Sequence, residues 1–418
     1  MLRYQFLIFT TLVQWVGLTT MQAQPNYPAP TGVWCSCPPT TSTGSISVMP
    51  AVATKPYVDG ILVRVAWKDL ETADNTYNWA LIDSQITAAQ TYGKKIALAV
   101  GGGPNSPTWL FNQGAQSLSF TIPFSGTIPI PWDTIFLTKW TEFITALGNR
   151  YADDTTIQLV YLTHSTSNGF EMQLPFNPTP SYTSISYTDQ KLIDSWKQII
   201  DTYNTAFPNH YLTNDFHPVN SSNTIADSVY AYANLTIGNR YGANAWWWTQ
   251  NNTTVYPSQY AILQDSSTTN QFTGIQMAQS GTDSPDSFGA GGLPTALNLA
   301  ISNHICYWEI WNSDIIDGSF DTLFTYAACS PLDDSQILTN NLFKVYPNPS
   351  NGIFTIESAL EIQEIELVNA MGQTILNVAA IQSETYLLDI QNFKEGIYLL
   401  KVSTTENKLF YEKLILEK

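Results

Sequence analysis

Between residues 55 and 330 the apolar positions switch repeatedly between two periods. Gly60–Trp67 (GILVRVAW) is a short apolar run holding one charge, Arg64, and reads as a buried strand. Trp79–Tyr92 spaces its apolar residues three and four apart and stops at Gly93, as an amphipathic helix does. Lys95–Val100 is a second strand and runs into Gly101-Gly102-Gly103-Pro104. A strand with less definite bounds is expected between Leu118 and Pro131. Trp132–Tyr151 predicts a long helix. Then come strand Ile157–Leu162, helix Tyr187–Phe207, strand His210–Phe216 and a strand within Leu235–Trp248. Strand Gln271–Ala278, helix Thr295–Asn303, strand Ile305–Trp311 and helix Phe320–Ala328 complete the series.

Strands that alternate with helices pair in parallel and are buried on both faces. A (β/α)8 barrel of the TIM type needs about 250 residues, and residues 55–330 supply them. The competing fold is a doubly wound sheet. No G-x-G-x-x-G follows the first strand, and Pro104 after the triple glycine argues against a phosphate cradle. The expected fold class is therefore α/β: a (β/α)8 barrel followed by a small antiparallel β-sandwich. Residues 25–54, rich in Pro, Ser and Thr, read as an irregular lead-in, and 331–341 as a linker. From Phe343 onward seven short strands follow with no helix between them, which predicts the sandwich over 342–418.

Composition narrows the function. The 418 residues carry a formal charge of −17, only 12 % are charged, and 13 are Trp. Such a chain cannot bind nucleic acid by neutralising phosphates. Few charges with many aromatic, Asn and Thr residues suit an extracellular surface and the stacking of sugar faces on rings. Residues 1–24 read as a secretory signal, with Arg3 ahead of the apolar run Phe6–Leu18. No later segment is apolar enough to span a membrane. Four cysteines, Cys35, Cys37, Cys306 and Cys329, allow three pairings in an exported protein. No Cys–His spacing resembles a zinc site, and neither a metal nor another cofactor is expected.

The tail resembles the C-terminal sorting domain of type IX secretion, found in Bacteroidetes. The matching pieces are Val345-Tyr346-Pro347-Asn348-Pro349, Asn351-Gly352, Glu366-Leu367-Val368 before Met371-Gly372, and Gly396–Val402. The resemblance implies the type IX machinery as a partner and a product sent through the periplasm and outer membrane to the cell surface or medium.

The first domain resembles barrel glycoside hydrolases of the family 42 β-galactosidase kind. The pieces are Val63–Trp67 with Leu70-Glu71, Tyr77-Asn78-Trp79 with Leu81-Ile82-Asp83, Pro107–Leu110 and Leu147–Tyr151. Thr72 stands where that family has Pro. The resemblance implies an Asn-Glu pair after the fourth strand, its Glu the acid/base. Here Asn168 and Glu171 lie three residues apart. The family's nucleophile ends the seventh strand; here FTGIQMAQ carries no acid, and Glu309 lies on the next strand.

Glu309 is the chemical focus, a carboxylate set in ICYWEIWNSD. Tyr307, Glu309 and Trp311 share one strand face, and a buried carboxylate without partners is costly. The expected catalytic pair is Glu171 as acid/base and Glu309 as nucleophile. Arg64 is expected to pair with Glu309 if the last strand lies beside GILVRVAW. Asn168, Trp67, Trp109, Trp248 and Trp311 are expected with Arg64 to bind substrate, and Asp215, His217 and Asp314 are reserves. At least one of Trp246–Trp248 must be packing. The alternative function is a non-catalytic carbohydrate-binding or cell-surface protein on a decayed hydrolase barrel. No G-x-S-x-G or H-E-x-x-H is present to suggest a peptidase.

Overall fold

Eight parallel strands close into a barrel in the computed structural model. It describes residues 25, 27–37, 44–122, 124–327, 329, 343–369, 374–405 and 409–418. The strands are β1 (Gly32–Ser36), β2 (Val58–Ala66), β3 (Lys95–Gly101), β4 (Ile157–Tyr161), β5 (Tyr211–Asp215), β6 (Tyr241–Trp248), β7 (Gly274–Met277) and β8 (Tyr307–Trp311). Around them lie α1 (Gly44–Ala53), α2 (Ala80–Thr91), α3 (Thr134–Tyr151), α4 (Asp189–Ala206), α5 (Thr224–Ile237), α6 (Pro257–Thr269), α7 (Gly292–Ser302) and α8 (Asp321–Tyr326). Polar caps start two of the long helices. Asp133 accepts the Phe136 N–H at 2.9 Å at the head of α3, and Thr188 that of Lys191 at 3.2 Å at the head of α4.

The barrel has two layers of core. One, between strands and helices, contains Val63, Val65, Trp67, Trp140, Phe143 and Trp308 among many others. The second lies inside the barrel, where Trp34, Leu62, Tyr161, Trp246 and Tyr307 meet. The small residues Ala97 and Ala99 of β3 face this interior and leave room for the bulky rings.

Two expectations about the strands need correction. The lead-in 25–54 contains β1, which pairs with both β8 and β2 and closes the barrel. The stretch between Leu118 and Pro131 is no barrel strand. It is an antiparallel hairpin, Ser117–Phe120 with Gly126–Pro129, over its own small cluster of Leu118, Phe120, Ile128 and Ile130. A disulfide joins Cys306 to Cys329, with Cα atoms 5.4 Å apart, so the alternative of tying Cys329 to Cys35 or Cys37 is not used.

The tail forms a five-stranded antiparallel sheet. Its seven expected short strands merge into five, because Ile353–Asn369 and Thr374–Asp389 are each continuous. The register shifts between Glu357 and Ile362, and β-bulges of this kind bend a strand. Phe354, Ile356, Ile365, Leu400 and Leu414 share one buried core. Among the described residues no helix is long and apolar enough to cross a membrane. The signal 1–24 and linker 331–341 lie outside the described residues, as does the Met371-Gly372 piece of the sorting-domain motif.

Candidate active site

The C-terminal ends of parallel barrel strands are where such folds build their sites. Glu309 is the middle residue of β8, fully buried inside the barrel. Its Oε1 accepts the hydroxyls of Tyr161 on β4 and of Tyr307, the latter at 2.6 Å. The Tyr161 hydroxyl in turn accepts Asn244 Nδ2 at 2.8 Å and Trp246 Nε1 at 3.3 Å. Glu309 Oε2 is buried with no hydrogen-bond partner. Burial pushes the Glu309 carboxyl up to about 7, although Tyr161, Tyr307 and Arg64 pull it down.

Arg64 does not pair with Glu309 as expected. β1 lies between β2 and β8, so the two residues are not on adjacent strands. Its guanidinium donates to the Ser36 hydroxyl on β1 and to Gln276 Oε1 on β7 at 3.3 Å, and Ser36 donates to the same Gln276 oxygen at 2.8 Å. It also lies 5.1 Å from the Trp246 ring centre and 5.5 Å from that of Trp311. Burial lowers its pKa, while the charge of Glu309, more than that of Glu171, opposes the fall. Arg64 Nε has no partner.

Glu171 comes from the long connection after β4. The triple glycine seats that loop. A Cβ on Gly103, whose φ is +53°, would meet the Thr166 carbonyl at 2.2 Å, and one on Gly169, φ +82°, would meet the Gly102 carbonyl at 2.2 Å. Gly102 donates to the Gly169 carbonyl at 3.2 Å. Close backbone contact therefore explains the glycines. Asn168 then fixes the turn, its Oδ1 accepting the N–H groups of Phe170 and Glu171 at 2.9 Å each. Burial raises the Glu171 pKa, with the Asp215 charge adding to it.

Asp215 and His217 continue this side of the site. Asp215 Oδ2 lies 2.5 Å from His217 Nδ1, Asp215 Oδ1 accepts the Trp246 N–H at 2.6 Å, and His217 Nε2 lies 3.9 Å from Glu171 Oε2. Burial alone would lower His217, but Asp215 and then Glu171 outweigh it and raise its pKa. Glu171, Asp215 and His217 bring three potential metal-ligand atoms within 4.8 Å of one another. The Asp215–His217 hydrogen bond engages Nδ1 and leaves His217 Nε2 facing Glu171.

A cleft of about 350 Å³ opens here, walled by Arg64, Asn168, Glu171, Trp246, Gln276 and Trp311 among others. Four expected residues thus meet at one place: Arg64, Asn168, Glu171 and Trp311. Glu309 lies in the barrel interior and does not line the cleft. Three expected substrate contacts face elsewhere. Trp67 begins a one-turn helix, is fully buried, donates to Glu71 Oε2 at 2.7 Å, and packs on Trp140 of α3. Trp109 donates to the Glu71 carbonyl at 3.0 Å and packs on Trp67. Trp248 donates to the Ala296 carbonyl of α7 at 2.8 Å. The register of β6 against β7 shifts between Ala245 and Trp248, so Trp246 faces the cleft and Trp248 the helices. Asp314 ties down the loop after β7, accepting Ser280, Gly281 and Thr282 at 2.8, 3.0 and 2.8 Å.

Sequence reasoning missed Ser36, Tyr161, Asn244 and Gln276 as parts of the site. The signal for Asn244 and Gln276 was present: a polar side chain inside an otherwise apolar strand, YGANAWWW and GIQM. In IQLVY the same signal marks Gln158, which donates to the Pro28 carbonyl instead.

Comparison with known proteins identifies the tail. Residues 344–417 match the secretion system C-terminal sorting domain family. The chain carries the type IX sorting domain, an address for export to the cell surface or the medium. An ulvan lyase of Nonlabens ulvanivorans is 29 % identical over 72 residues, which are 17 % of this chain and 14 % of that protein. Among solved structures, the catalytic domain of a β-amylase from Paenibacillus polymyxa is similar with a TM-score of 0.49 and 10 % identity, over 72 % of this chain and 100 % of that one. A family 39 glycoside hydrolase from Bacteroides cellulosilyticus gives a TM-score of 0.44 and 13 % identity, over 86 % and 81 %.

Proposed function

We propose that the barrel is a secreted glycoside hydrolase that cleaves an oligo- or polysaccharide with two carboxylates, Glu171 as acid/base and Glu309 as nucleophile. One observation carries this reading. Glu309 presents one oxygen held by two tyrosine hydroxyls and a second, buried oxygen with no partner. An unsatisfied buried carboxylate oxygen is expensive, and such groups concentrate where chemistry is done. The raised pKa of Glu171, at the cleft wall, suits a group that keeps a proton to give away.

The steps follow from the partners. A sugar ring lies against Trp246 and Trp311. Glu171 donates its proton to the glycosidic oxygen as the bond to the anomeric carbon breaks. Because Glu309 is buried beneath the cleft lining, this step requires the sugar to reach past Trp246 and Trp311 into the barrel interior. There the Oε2 lone pair bonds to the anomeric carbon while Tyr161 and Tyr307 hold the other oxygen. Water then attacks the glycosyl–Glu309 ester, and Glu171, now a base, takes the water's proton. His217, hydrogen-bonded to Asp215, stabilises Glu171 in its ionised state after the first step. A second reading, a carbohydrate-binding barrel without catalysis, is favoured by the complete burial of Glu309.

Leaving-group dependence separates the two roles. With Glu171→Gln, kcat/KM for dinitrophenyl glycosides, whose leaving group needs no protonation, is largely retained, whereas that for alkyl glycosides falls about 100-fold or more; kcat falls for both, because the base that activates water is gone. Glu309→Gln loses both. Equal losses of kcat/KM on both leaving groups in Glu171→Gln would remove Glu171 from the acid role.

A further inference from the structure

Eight large hydrophobic side chains are exposed among the described residues, and three of them, Ile122, Phe124 and Phe176, belong to one surface. An antiparallel bridge pairs Ile122 with Phe176. Ser119 and Thr179 exchange two backbone hydrogen bonds, of 2.8 and 2.7 Å, and so bind the hairpin 117–129 to the loop after β4. Phe124 lines the catalytic cleft. Phe176, 68 % exposed, lines a second and wider groove of about 600 Å³ with Asn177, Tyr182, Thr183, Tyr187 and Asn220. The cleft and the second groove are thus joined by a ridge of exposed apolar side chains. Four residues separate Glu171 from Phe176, a path of at most ~18 Å.

The groove's lining is rings, amides, hydroxyls and prolines, with no ionisable acid or base other than the tyrosine phenols. Tyr182 and Tyr187 are fixed: the Tyr182 hydroxyl donates to the Pro175 carbonyl at 2.5 Å, that of Tyr187 to Asp189 at 2.8 Å, and their ring centres are 5.2 Å apart. A preset ring wall beside neutral hydrogen-bonding groups suits a glycan, whose C–H faces stack and whose hydroxyls exchange hydrogen bonds. It offers no cation to a uronate or sulfate, and the chain's charge of −17 disfavours a polyanion further.

We infer that this groove holds the continuation of the substrate chain, and that the substrate is a neutral polysaccharide gripped internally over several sugar units. The inference rests on the proposed carbohydrate function of the cleft. It is tested by binding, which needs no turnover. The full chain carrying Glu309→Gln is run in native gels containing galactan, xylan, mannan or, as the polyanion, alginate. At least one neutral glycan retards the protein and alginate does not. Adding Phe176→Ala weakens that retardation by about tenfold, while Phe176→Trp restores it. Leu235→Ala, which removes an 82 % exposed side chain on α5, leaves retardation unchanged. Undiminished retardation in Phe176→Ala overturns the groove, and retardation by alginate alone overturns the neutral substrate. If the protein hydrolyses aryl glycosides while no polysaccharide retards it, the groove fails and the hydrolase reading stands. Retardation without hydrolysis by the wild type has the reverse meaning.

Discussion

Replacing Glu309 by Gln tests the buried carboxylate without any knowledge of the substrate. Gln keeps the shape and an oxygen to accept Tyr161 and Tyr307, but it cannot ionise. In the native protein burial raises the Glu309 carboxyl from 4.5 to about 7. Between those two pH values the folded state holds a proton that the unfolded chain has already released. The unfolded state therefore binds fewer protons, and stability falls as pH rises through the window. Two and a half pH units at 1.36 kcal/mol each give about 3 kcal/mol. Wild type bears no such cost at pH 4 and all of it by pH 8. The stability of Glu309→Gln relative to wild type should therefore improve by about 3 kcal/mol between pH 4 and pH 8. Urea unfolding followed by tryptophan fluorescence measures this in the full chain, because all 13 tryptophans precede the tail. A difference that does not change with pH would show that the carboxyl is not raised, and the account of its environment would fail.

Three further outcomes follow from the same contacts. Tyr161→Phe removes a hydrogen bond to the charged carboxylate, worth about 1.5–3 kcal/mol, and should move the acid limb of kcat/KM upward by roughly one to two pH units. An unmoved limb would mean that Glu309 does not govern it. Cys306→Ala opens a loop of 23 residues and should cost about 3 kcal/mol of barrel stability with activity retained below the transition; a loss within experimental error contradicts the disulfide's role. Trp67→Ala should destabilise the barrel by about 3–5 kcal/mol and leave glycan affinity alone, whereas Trp311→Ala should weaken glycan binding; calorimetry and native gels decide, and the reverse assignment would refute the placement of the two rings.

Much of this architecture was legible in the chain because parallel strands are buried on both faces and so read as continuous apolar runs. GILVRVAW and KIALAV are examples. β1 was hidden because GVWCS is only five residues long and lies among Pro, Ser and Thr. The false strand near Leu118 had its own warning. Leu118 and Phe120 alternate with Ser and Thr, and Ile128 and Ile130 again fall on every second position, the mark of a half-buried antiparallel hairpin. Glu309 stood out as a lone acid in an aromatic strand, and the structure surrounds it with tyrosines. Its partner could not be read, since naming Arg64 depended on which strand closes the barrel. The tryptophans were hardest. Strand parity puts Trp246 and Trp248 on one face, and only the register shift in β6 separates them. Trp67 lies one residue beyond β2 and turns into the helix layer with its own short helix.

The measurement that bears most directly on the central claim is hydrolysis of a panel of aryl glycosides and plant and algal polysaccharides by the wild type, Glu171→Gln and Glu309→Gln. The account predicts turnover of at least one natural glycan by the wild type, and a fall of about 100-fold or more in each variant with the fold intact. Undiminished turnover in Glu309→Gln, or no turnover of any substrate by a folded wild type that still binds glycan, would contradict it.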